Sequence, residues 1–394
     1  MYGFARVTAG PFIGFLVGCC EAIANIIYTV VGTMPVGTTI TYIFNSDPKY
    51  EPMYWVFSYF SIILSEYLGR KVYFNFLNTY AFVLIMLLVF YLIISFQSID
   101  TDKYISAPEG RVFTGGIADF LSIVPTVGWF YFGFETIPLI SDEIRDAKRD
   151  TPRGIVATLI FLVICAFIIP FVVYTQYPGL LDDEIMDYFP LNGGFITALG
   201  MNDQTASIVA LPSLYIANAL YIFGYGKQLS ALAHSNLLPS FMGWTLPNSK
   251  IPYMSLIVGS VLGIFLLFIL THVMKQTYYS VETTAWFNAA LLGSYFTFIV
   301  SFISFIIFRV KYPNLKRSFF NPLGIIGAVI GILSFLLMSV GLAGFSADDH
   351  KSFQYFLGFI GICTIYYFAY AKRHQRFSKE EQSVMFIVYL IKGN

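Results

Sequence analysis

Apolar residues occur along the chain in long, uninterrupted runs that short polar segments separate. A helix needs about 17–25 apolar residues to cross the hydrocarbon core of a bilayer. Strands of a membrane barrel alternate apolar and polar residues, so continuous runs favour helices. The pattern predicts an all-α polytopic membrane protein with about ten transmembrane helices, the second being the shortest. The predicted spans are 12–31, 53–68, 75–97, 119–140, 154–175, 205–224, 252–271, 284–308, 323–344 and 354–371.

Composition narrows the class of protein. Of the 394 residues, 57% are hydrophobic and 12% are charged, whereas soluble domains carry about 25% charged residues. Ordinary soluble enzymes are therefore excluded, and a net charge of zero leaves no basic surplus for nucleic acid. The four cysteines lie in apolar runs and the four histidines are scattered, so we expect no disulfide and no metal site. The sequence shows no catalytic constellation, which predicts a protein that is not an enzyme and holds no cofactor.

The basic residues predict the topology. Of the 23 Lys and Arg residues, 18 fall in segments on the side of the N-terminus and five on the other side. Cytoplasmic loops are enriched in Lys and Arg, so both termini are expected in the cytoplasm. Loop 176–204 agrees, because it carries five acidic residues and no basic residue. We expect an integral multi-pass protein, with the plasma membrane favoured over organelles.

Four acidic residues lie within the predicted spans. Glu66 and Asp119 lie near span ends, where we interpret them as interfacial anchors. Glu21 and Glu135 lie at mid-span, where a carboxylate is costly unless it faces a partner, water or the bundle interior. Each of these two is either functional or a neutral, hydrogen-bonded structural residue.

The context of Glu135 indicates an interrupted helix. Gly133 precedes it and Pro138 follows it; glycine loosens a helix and proline removes a backbone donor. A span broken at mid-depth is tolerated only where its backbone groups line a cavity. A simple proline kink is the alternative.

The first and sixth spans share the pattern I-A-N-x-x-Y, at Ile23–Tyr28 and Ile216–Tyr221. An asparagine at mid-membrane is expected to pack inward or to contact a ligand. The match is either chance or the trace of an internal repeat. An offset of five spans gives the two copies the opposite topology that an inverted repeat requires.

Three stretches resemble the amino acid–polyamine–organocation (APC) superfamily of secondary transporters, in particular its amino acid, polyamine and ethanolamine permeases. Residues 132–135 together with 142–153 look like the segment G-F-E…E-E-x-x-N-P-x-R-D-I-P-R of that family. Residues 226–239 are similar to its loop S-R-x-x-x-A-x-A-R-D-G-x-L-P, with Lys227 where arginine is usual. Residues 2–15 resemble the entry into its third helix.

The resemblance implies a LeuT-type fold of two inverted five-helix repeats. The chain would then start at the third helix of the family, leaving the first repeat incomplete. Residues 1–372 would form the transporter domain (family helices 3–12), and residues 373–394 a cytoplasmic tail.

The resemblance also implies a substrate site near mid-membrane, beside the broken span. The expected substrate-binding residues are Trp129, Phe132, Gly133, Phe134, Asn25, Asn218, Ser294 and Thr297. Glu135, and after it Glu21, is the expected gating or proton-linked acid, because a buried carboxyl group can exchange protons near neutral pH. The expected cytoplasmic gate consists of Asp142, Glu143, Arg149 and Arg153.

A structural alternative exists for each of these assignments. The aromatic residues can simply pack, helix hydroxyls can bond their own backbone, and the basic cluster can set topology and contact lipid headgroups. The predicted function is secondary active transport of an amino acid or small amine by alternating access, coupled to protons or operating by exchange. Its expected partners are that small molecule and the lipid bilayer. A truncated, non-transporting membrane protein (fragment, sensor or regulatory partner) is the alternative.

Overall fold

A computed structural model describes residues 1–104, 116–176, 191–247, 249–278, 280–313, 319, 321–377 and 382. In these ranges the regular secondary structure is helical throughout. Most of the acidic residues of the predicted loop 176–204, and nearly all of the tail after residue 377, lie outside the described residues.

Fourteen α-helices lie in the described ranges, together with short 3-10 and π segments. The α-helices are α1 (Tyr2–Thr8), α2 (Pro11–Ile43), α3 (Glu51–Tyr67), α4 (Arg70–Ser95), α5 (Thr101–Tyr104), α6 (Gly116–Gly128), α7 (Ala147–Tyr174), α8 (Asn192–Leu199), α9 (Asp203–His234), α10 (Tyr253–Phe268), α11 (Val281–Lys311), α12 (Gly324–Phe345), α13 (Lys351–Tyr366) and α14 (Lys372–His374). The 3-10 segments are Pro48–Tyr50, Phe96–Ser98, Trp129–Tyr131, Phe134–Ile140 and Ser240–Gly243, and the π segments are Ile269–Val273 and Tyr367–Ala371.

Nine helical segments of the described chain are long and apolar enough to cross a membrane. This confirms the prediction of a polytopic all-α protein. The remaining predicted span, 53–68, forms α3, which has 17 residues. It is shorter than each of the nine segments, which have 21 to 33 residues with their 3-10 and π turns included.

The burial of the helices indicates which of them face lipid. In α2, 78% of the most apolar stretch is buried, whereas in α4 and α7, which are more apolar, the buried share is 11%. In water, such exposed apolar surface would be strongly unfavourable. A bilayer removes that penalty, so the low burial of α4 and α7 is what we expect of helices that face lipid.

The chain divides into two compact units, and the division falls within α2, α7 and α9 and after the first residue of α6. Unit one comprises Met1–Val30, Ile117–Gly154 and Tyr221–Asn394; unit two comprises Val31–Gly116 and Ile155–Leu220. Each unit is described below by its own contacts.

Unit one has a core in which α11 packs against α12 and α13. A buried cluster in the same unit joins the start of α2 to the end of α9, and Cys19 and Cys363 lie in it as free thiols. Arg6 is 1% exposed. Its guanidinium donates to the carbonyl of Arg376 at 2.8 Å and lies 4.1 Å from the centroid of the Phe377 ring. The segment after α14 is thereby held against α1.

Unit two has a smaller core around Tyr91, which is fully buried and packs edge-on against Phe195 at 5.3 Å between ring centroids. The amide of Gln176 donates to the Tyr91 hydroxyl. Glu66 is 5% exposed in this unit. The expectation that Glu66 is an interfacial anchor is therefore wrong, because its side chain lies in the protein interior and not at an exposed helix end. Asp119, in unit one, is exposed.

Candidate functional site

The fourth predicted span is interrupted at Phe132 and Gly133. After α6 ends, Trp129–Tyr131 forms one 3-10 turn, and Phe132 is extended at ψ 157°. Gly133 has φ 105°, and the helix resumes as 3-10 over Phe134–Ile140. A positive φ of this size suits glycine and strains other residues. The interruption is thus a backbone break and not a simple kink at Pro138.

Both polar backbone groups of Gly133 are satisfied by residues that follow the break. The carboxylate Oε2 of Glu135 accepts a hydrogen bond from the Gly133 amide at 2.7 Å. The Thr136 hydroxyl donates to the Gly133 carbonyl at 2.6 Å. Because a helix start leaves amides without intrahelical acceptors, Glu135 acts as a cap for the broken backbone. This contact agrees with the structural interpretation of Glu135 and leaves the proton-linked role a prediction.

Tyr28 is the centre of an aromatic cluster in unit one. Its side chain is 2% exposed. It comes from α2 and meets rings from the break, from α9 and from α11. The distances between ring centroids are 4.8 Å to Trp129, 5.8 Å to Phe132, 5.4 Å to Tyr221 and 5.8 Å to Phe287. We call these five residues the aromatic cluster.

Trp129, like Tyr28, contacts all four other rings of the cluster. It stacks on Phe132 at 5.6 Å and on Tyr221 at 5.9 Å between centroids. Phe287 approaches it edge-on at 4.7 Å. These are the offset and edge-to-face geometries that aromatic quadrupoles favour. The face of an indole ring is also the aromatic surface that binds cations most strongly.

Two hydroxyl contacts from α11 support the break. The Tyr28 hydroxyl and Ser294 Oγ are hydrogen-bonded at 2.8 Å, so Ser294 does not follow the alternative in which a helix hydroxyl bonds its own backbone. The Tyr295 hydroxyl donates to the carbonyl of Pro125 at 2.7 Å. That carbonyl lies in the last turn of α6, where carbonyls lack intrahelical donors. Tyr295 therefore caps the helix that precedes the break.

Two other predicted site residues, both in unit one, have different surroundings. Thr297 is 2% exposed, and its hydroxyl has no hydrogen-bond partner among the described residues. Phe134 stacks on Phe298 at 5.8 Å with an interplanar angle of 10°. Phe134 is therefore joined to the aromatic cluster through Phe298, which also meets Phe132 at 5.9 Å.

Each asparagine of the repeated pattern lies against a glycine. In unit one, Asn25 donates through Nδ2 to the carbonyl of Glu21 at 2.8 Å, and a Cβ on Gly224 would lie 3.0 Å from Asn25 Oδ1. In unit two, Asn218 is 1% exposed, and a Cβ on Gly32 would clash with Asn218 Oδ1. Both asparagines therefore occupy close helix approaches, which membrane helices make with small residues.

Glu21 belongs to the same part of unit one as Asn25. Its Oε1 lies 3.8 Å from the amine of Met1, and its Oε2 is buried with no hydrogen-bond partner among the described residues. Its role as a second gating acid remains a prediction.

The predicted gate acids share one lysine as partner. Lys227 Nζ lies 2.8 Å from Asp142 Oδ2 and 3.6 Å from Glu143 Oε1. Arg149 and Arg153 are exposed at the start of α7. The ion pair thus joins the segment after the break to the end of α9, while the two arginines remain predictions for the gate.

Sequence reasoning missed four residues that the structure places in these contacts. Tyr28 and Tyr221 are the tyrosines of the two I-A-N-x-x-Y copies, so the pattern itself contained the signal. Phe287 carried no such signal, because it is one of 41 phenylalanines. Lys227 stood out only as a departure from the arginine of the similar family loop, and that departure did not indicate its partner Asp142, 85 positions away.

These features define a polytopic helical membrane protein with one span broken at mid-length and an aromatic cluster packed on the break. The chain belongs to the amino acid permease family, whose family model matches residues 1–382. This confirms membership of the APC superfamily, and a permease family agrees with the expectation that the chain is not an enzyme.

Relatives with curated functions are similar at modest identity. The methylthioribose transporter of Bacillus subtilis (strain 168) is 22% identical over 276 residues, which cover 67% of this chain and 53% of that protein. The branched-chain amino acid permease BcaP of the same organism is 21% identical over 279 residues, with the same two shares. The vacuolar cationic amino acid transporter 4 of Arabidopsis thaliana is 26% identical over 195 residues, covering 46% of this chain and 30% of that protein. The chain spans about half the length of the first two.

Proposed function

We propose that this protein takes part in secondary active transport of amino acids or small organic amines across a membrane by alternating access. The observation that carries the proposal is the broken span at Phe132 and Gly133 with the aromatic cluster against it. Transporters build substrate sites at interrupted helices. At this break Glu135 and Thr136 occupy the polar backbone groups of Gly133, so the proposed contact with the substrate is made by the aromatic cluster.

The chemistry of the cluster favours a substrate with an ammonium group. Trp129 contacts Phe132 at the break, at 5.6 Å between centroids, and Tyr28, at 4.8 Å, and Tyr221 stacks on it at 5.9 Å. An ammonium group over such a ring gains about 0.5–2 kcal/mol. The aromatic residues carry no charge, so they accept a cation without a buried salt bridge, which would require desolvating two charges.

The relatives suggest the compounds to test first. Their names specify branched-chain amino acids, cationic amino acids and methylthioribose. Only the two classes of amino acid carry the ammonium group that the aromatic cluster suits. We therefore expect an amino acid to compete better than methylthioribose.

The test is uptake by the purified protein in proteoliposomes, with radiolabelled leucine and lysine. Trp129→Leu removes the aromatic face and should raise KM by about 2–30-fold, the equivalent of the cation–π contribution. Trp129→Phe should have a smaller effect. Phe130→Leu is the matched control, because Phe130 lies in the same 3-10 turn but packs on Tyr131 at 5.8 Å.

If the wild type takes up substrate and Trp129→Leu has the same KM, the substrate site does not lie at the aromatic cluster. Absence of both uptake and substrate binding would favour the alternative of a non-transporting membrane protein.

Proton coupling through Glu135 is a finer part of the proposal. Glu135→Gln keeps an oxygen acceptor for the Gly133 amide, at 2.7 Å in the wild type, but cannot exchange a proton. If Glu135 is proton-linked, the Glu135→Gln variant should fold like the wild type, and its uptake should lose its pH dependence. If Glu135 only caps the break, the pH profile is unchanged and Glu135→Ala lowers stability.

The topology completes the proposal. Eighteen basic residues on the side of the N-terminus, against five on the other side, support cytoplasmic termini. Residues 1–372 would form the transporter domain and residues 373–394 the tail. Lys227, Asp142 and Glu143 would then close the cytoplasmic side. Cysteine accessibility to a membrane-impermeant reagent, in intact and in opened plasma-membrane vesicles, tests both the sidedness and the membrane.

A further inference from the structure

A cavity in unit one has no residue of the aromatic cluster in its lining. It has a volume of about 430 Å³ and is lined by the start of α6, the start of α11 and the link between α12 and α13. Small-molecule pockets have volumes of about 300–1,000 Å³. The cavity is therefore large enough for a small organic ligand or a hydrated ion.

The polar lining of this cavity is acidic. Its described lining residues include two carboxylates and no Lys or Arg. Hydroxyl and amide groups accompany the carboxylates. The polar side chains used below are Asp119, Ser122, Thr126, Thr284, Asn288 and Asp348.

Asp348 is the residue that points to a ligand. Its side chain is 1% exposed, and neither carboxylate oxygen has a hydrogen-bond partner among the described residues. A buried carboxylate without a partner is strongly unfavourable. Asp119, the other lining carboxylate, is exposed, so the lining offers one accessible and one buried negative group.

The neighbouring lysine, Lys351, forms an ion pair with a different acid. Lys351 Nζ lies 2.8 Å from Glu282 Oε2, and the Tyr355 hydroxyl donates to the same carboxylate. Asn288 donates through Nδ2 to Ser346 at 3.1 Å, which fixes the amide in the cavity wall. Lys351 also acts electrostatically on Asp348, but its ion pair is with Glu282, so the two Asp348 oxygens keep no hydrogen-bond partner among the described residues.

The geometry points to this cavity as a binding site for a small cation, either an alkali metal ion or the ammonium end of an organic amine. Both ligands prefer carboxylate, hydroxyl and amide oxygens, and an ammonium group makes charge-assisted hydrogen bonds to carboxylates. Binding places a positive charge beside Asp348 and satisfies its oxygens. The site is distinct from the aromatic cluster, which contains no carboxylate.

The experiment measures the thermal unfolding midpoint of the purified full chain in detergent at constant ionic strength. Tetrapropylammonium chloride serves as background because it is bulky and has no N–H donors. It is replaced stepwise by sodium, potassium or ethylammonium chloride. The wild type should show a saturable rise of the midpoint with at least one of the three. A response to sodium or potassium assigns an alkali ion, and a response confined to ethylammonium assigns an amine.

The variants separate binding from folding. Asp348→Asn should raise the half-saturating concentration about ten-fold or more, since it removes a charge-assisted contact. Asp119→Asn should raise it less. Asp349→Asn is the matched control: Asp349 is the exposed neighbour with φ 52°, a conformation that asparagine tolerates, and it should respond like the wild type.

A purely structural Asp348 would change the midpoint in the background salt without changing the half-saturating concentration. That result, or a wild type with no saturable response to any of the three probes, overturns the proposal. If Asp348→Asn does not fold, Asp119→Asn decides, because an unchanged half-saturating concentration in that variant also overturns it. The measurement needs no transport, so its failure is distinguishable from failure of the proposed function.

Discussion

Replacing Gly133 by alanine tests whether the backbone break depends on glycine alone. The position has φ 105°, and a Cβ built there would meet no atom within 4 Å. Alanine would therefore create no clash, and its entire effect would come from the left-handed backbone. Holding a residue other than glycine in a sparsely populated region costs about 1–3 kcal/mol. We expect Gly133→Ala to lower the free energy of unfolding by that amount.

Gly361→Ala is the matched control for Gly133→Ala. Gly361 is exposed in the middle of α13, and a Cβ there also meets nothing within 4 Å. Its helical backbone suits alanine, which should stabilise the protein by about 0.5–1 kcal/mol. The two variants add the same methyl group to equally open space, so they differ only in the backbone conformation that receives it.

The assay is equilibrium unfolding in mixed micelles, followed by tryptophan fluorescence and by helical circular dichroism. Uptake in proteoliposomes is measured in parallel, because relaxing the break toward a regular helix would move Phe132 and Trp129. Equal stability of Gly133→Ala and the wild type, with the expected gain in Gly361→Ala, would refute the argument that the break requires a left-handed glycine.

Three further outcomes follow from contacts in unit one. Tyr28→Phe and Ser294→Ala should each lower the free energy of unfolding by about 1–2 kcal/mol. The double variant should lower it by less than the sum, because the two hydroxyls are hydrogen-bonded to each other at 2.8 Å. Strictly additive losses would contradict this hydrogen bond. Lys227→Met should change the free energy of unfolding by less than about 1 kcal/mol, since Asp142 is 55% exposed. It should alter the uptake rate, whereas Lys227→Arg should preserve the wild-type rate. Equal uptake rates in the two variants would argue against a role for Lys227 in the gate. Arg6→Met should make the segment after α14 more sensitive to limited proteolysis, because its 2.8 Å bond to that segment is lost; an unchanged cleavage pattern would argue against that tether.

Hydropathy was sufficient to predict the helical spans. Each predicted apolar run in the described chain forms a helix, because lipid leaves an apolar backbone no other way to satisfy its own polar groups. Run length also singled out α3 as the weakest span, and it has 17 residues. Glu66 shows the limit of this approach, since nearness to a span end does not reveal which helix covers a side chain.

The candidate site was only partly predictable. The glycine and proline around Glu135 predicted the break, because both residues act on the backbone at their own positions in the chain. The pattern I-A-N-x-x-Y drew attention to Asn25, whereas Tyr28, three residues later on nearly the same helix face, makes the ring contacts. Polarity distinguishes an asparagine at mid-membrane, but ring size decides what can reach across helices.

Long-range pairing lay beyond sequence reasoning. Arg149 and Arg153 follow the predicted gate acids closely in sequence, whereas Lys227 is 85 positions from Asp142. Which one meets Asp142 depends on how the segment after the break lies against the end of α9. No periodicity or spacing encodes that distance, which the fold sets at 2.8 Å.

The two asparagine–glycine contacts constrain how the sequences of homologues can change. A homologue that keeps Asn218 is expected to keep glycine at position 32, since a Cβ there would force the buried amide to move. One that replaces Asn218 by alanine or serine gains room for a methyl group at position 32. The same exchange applies to Asn25 and Gly224. Substitutions at these four positions should therefore be inherited in matched pairs, 25 with 224 and 32 with 218.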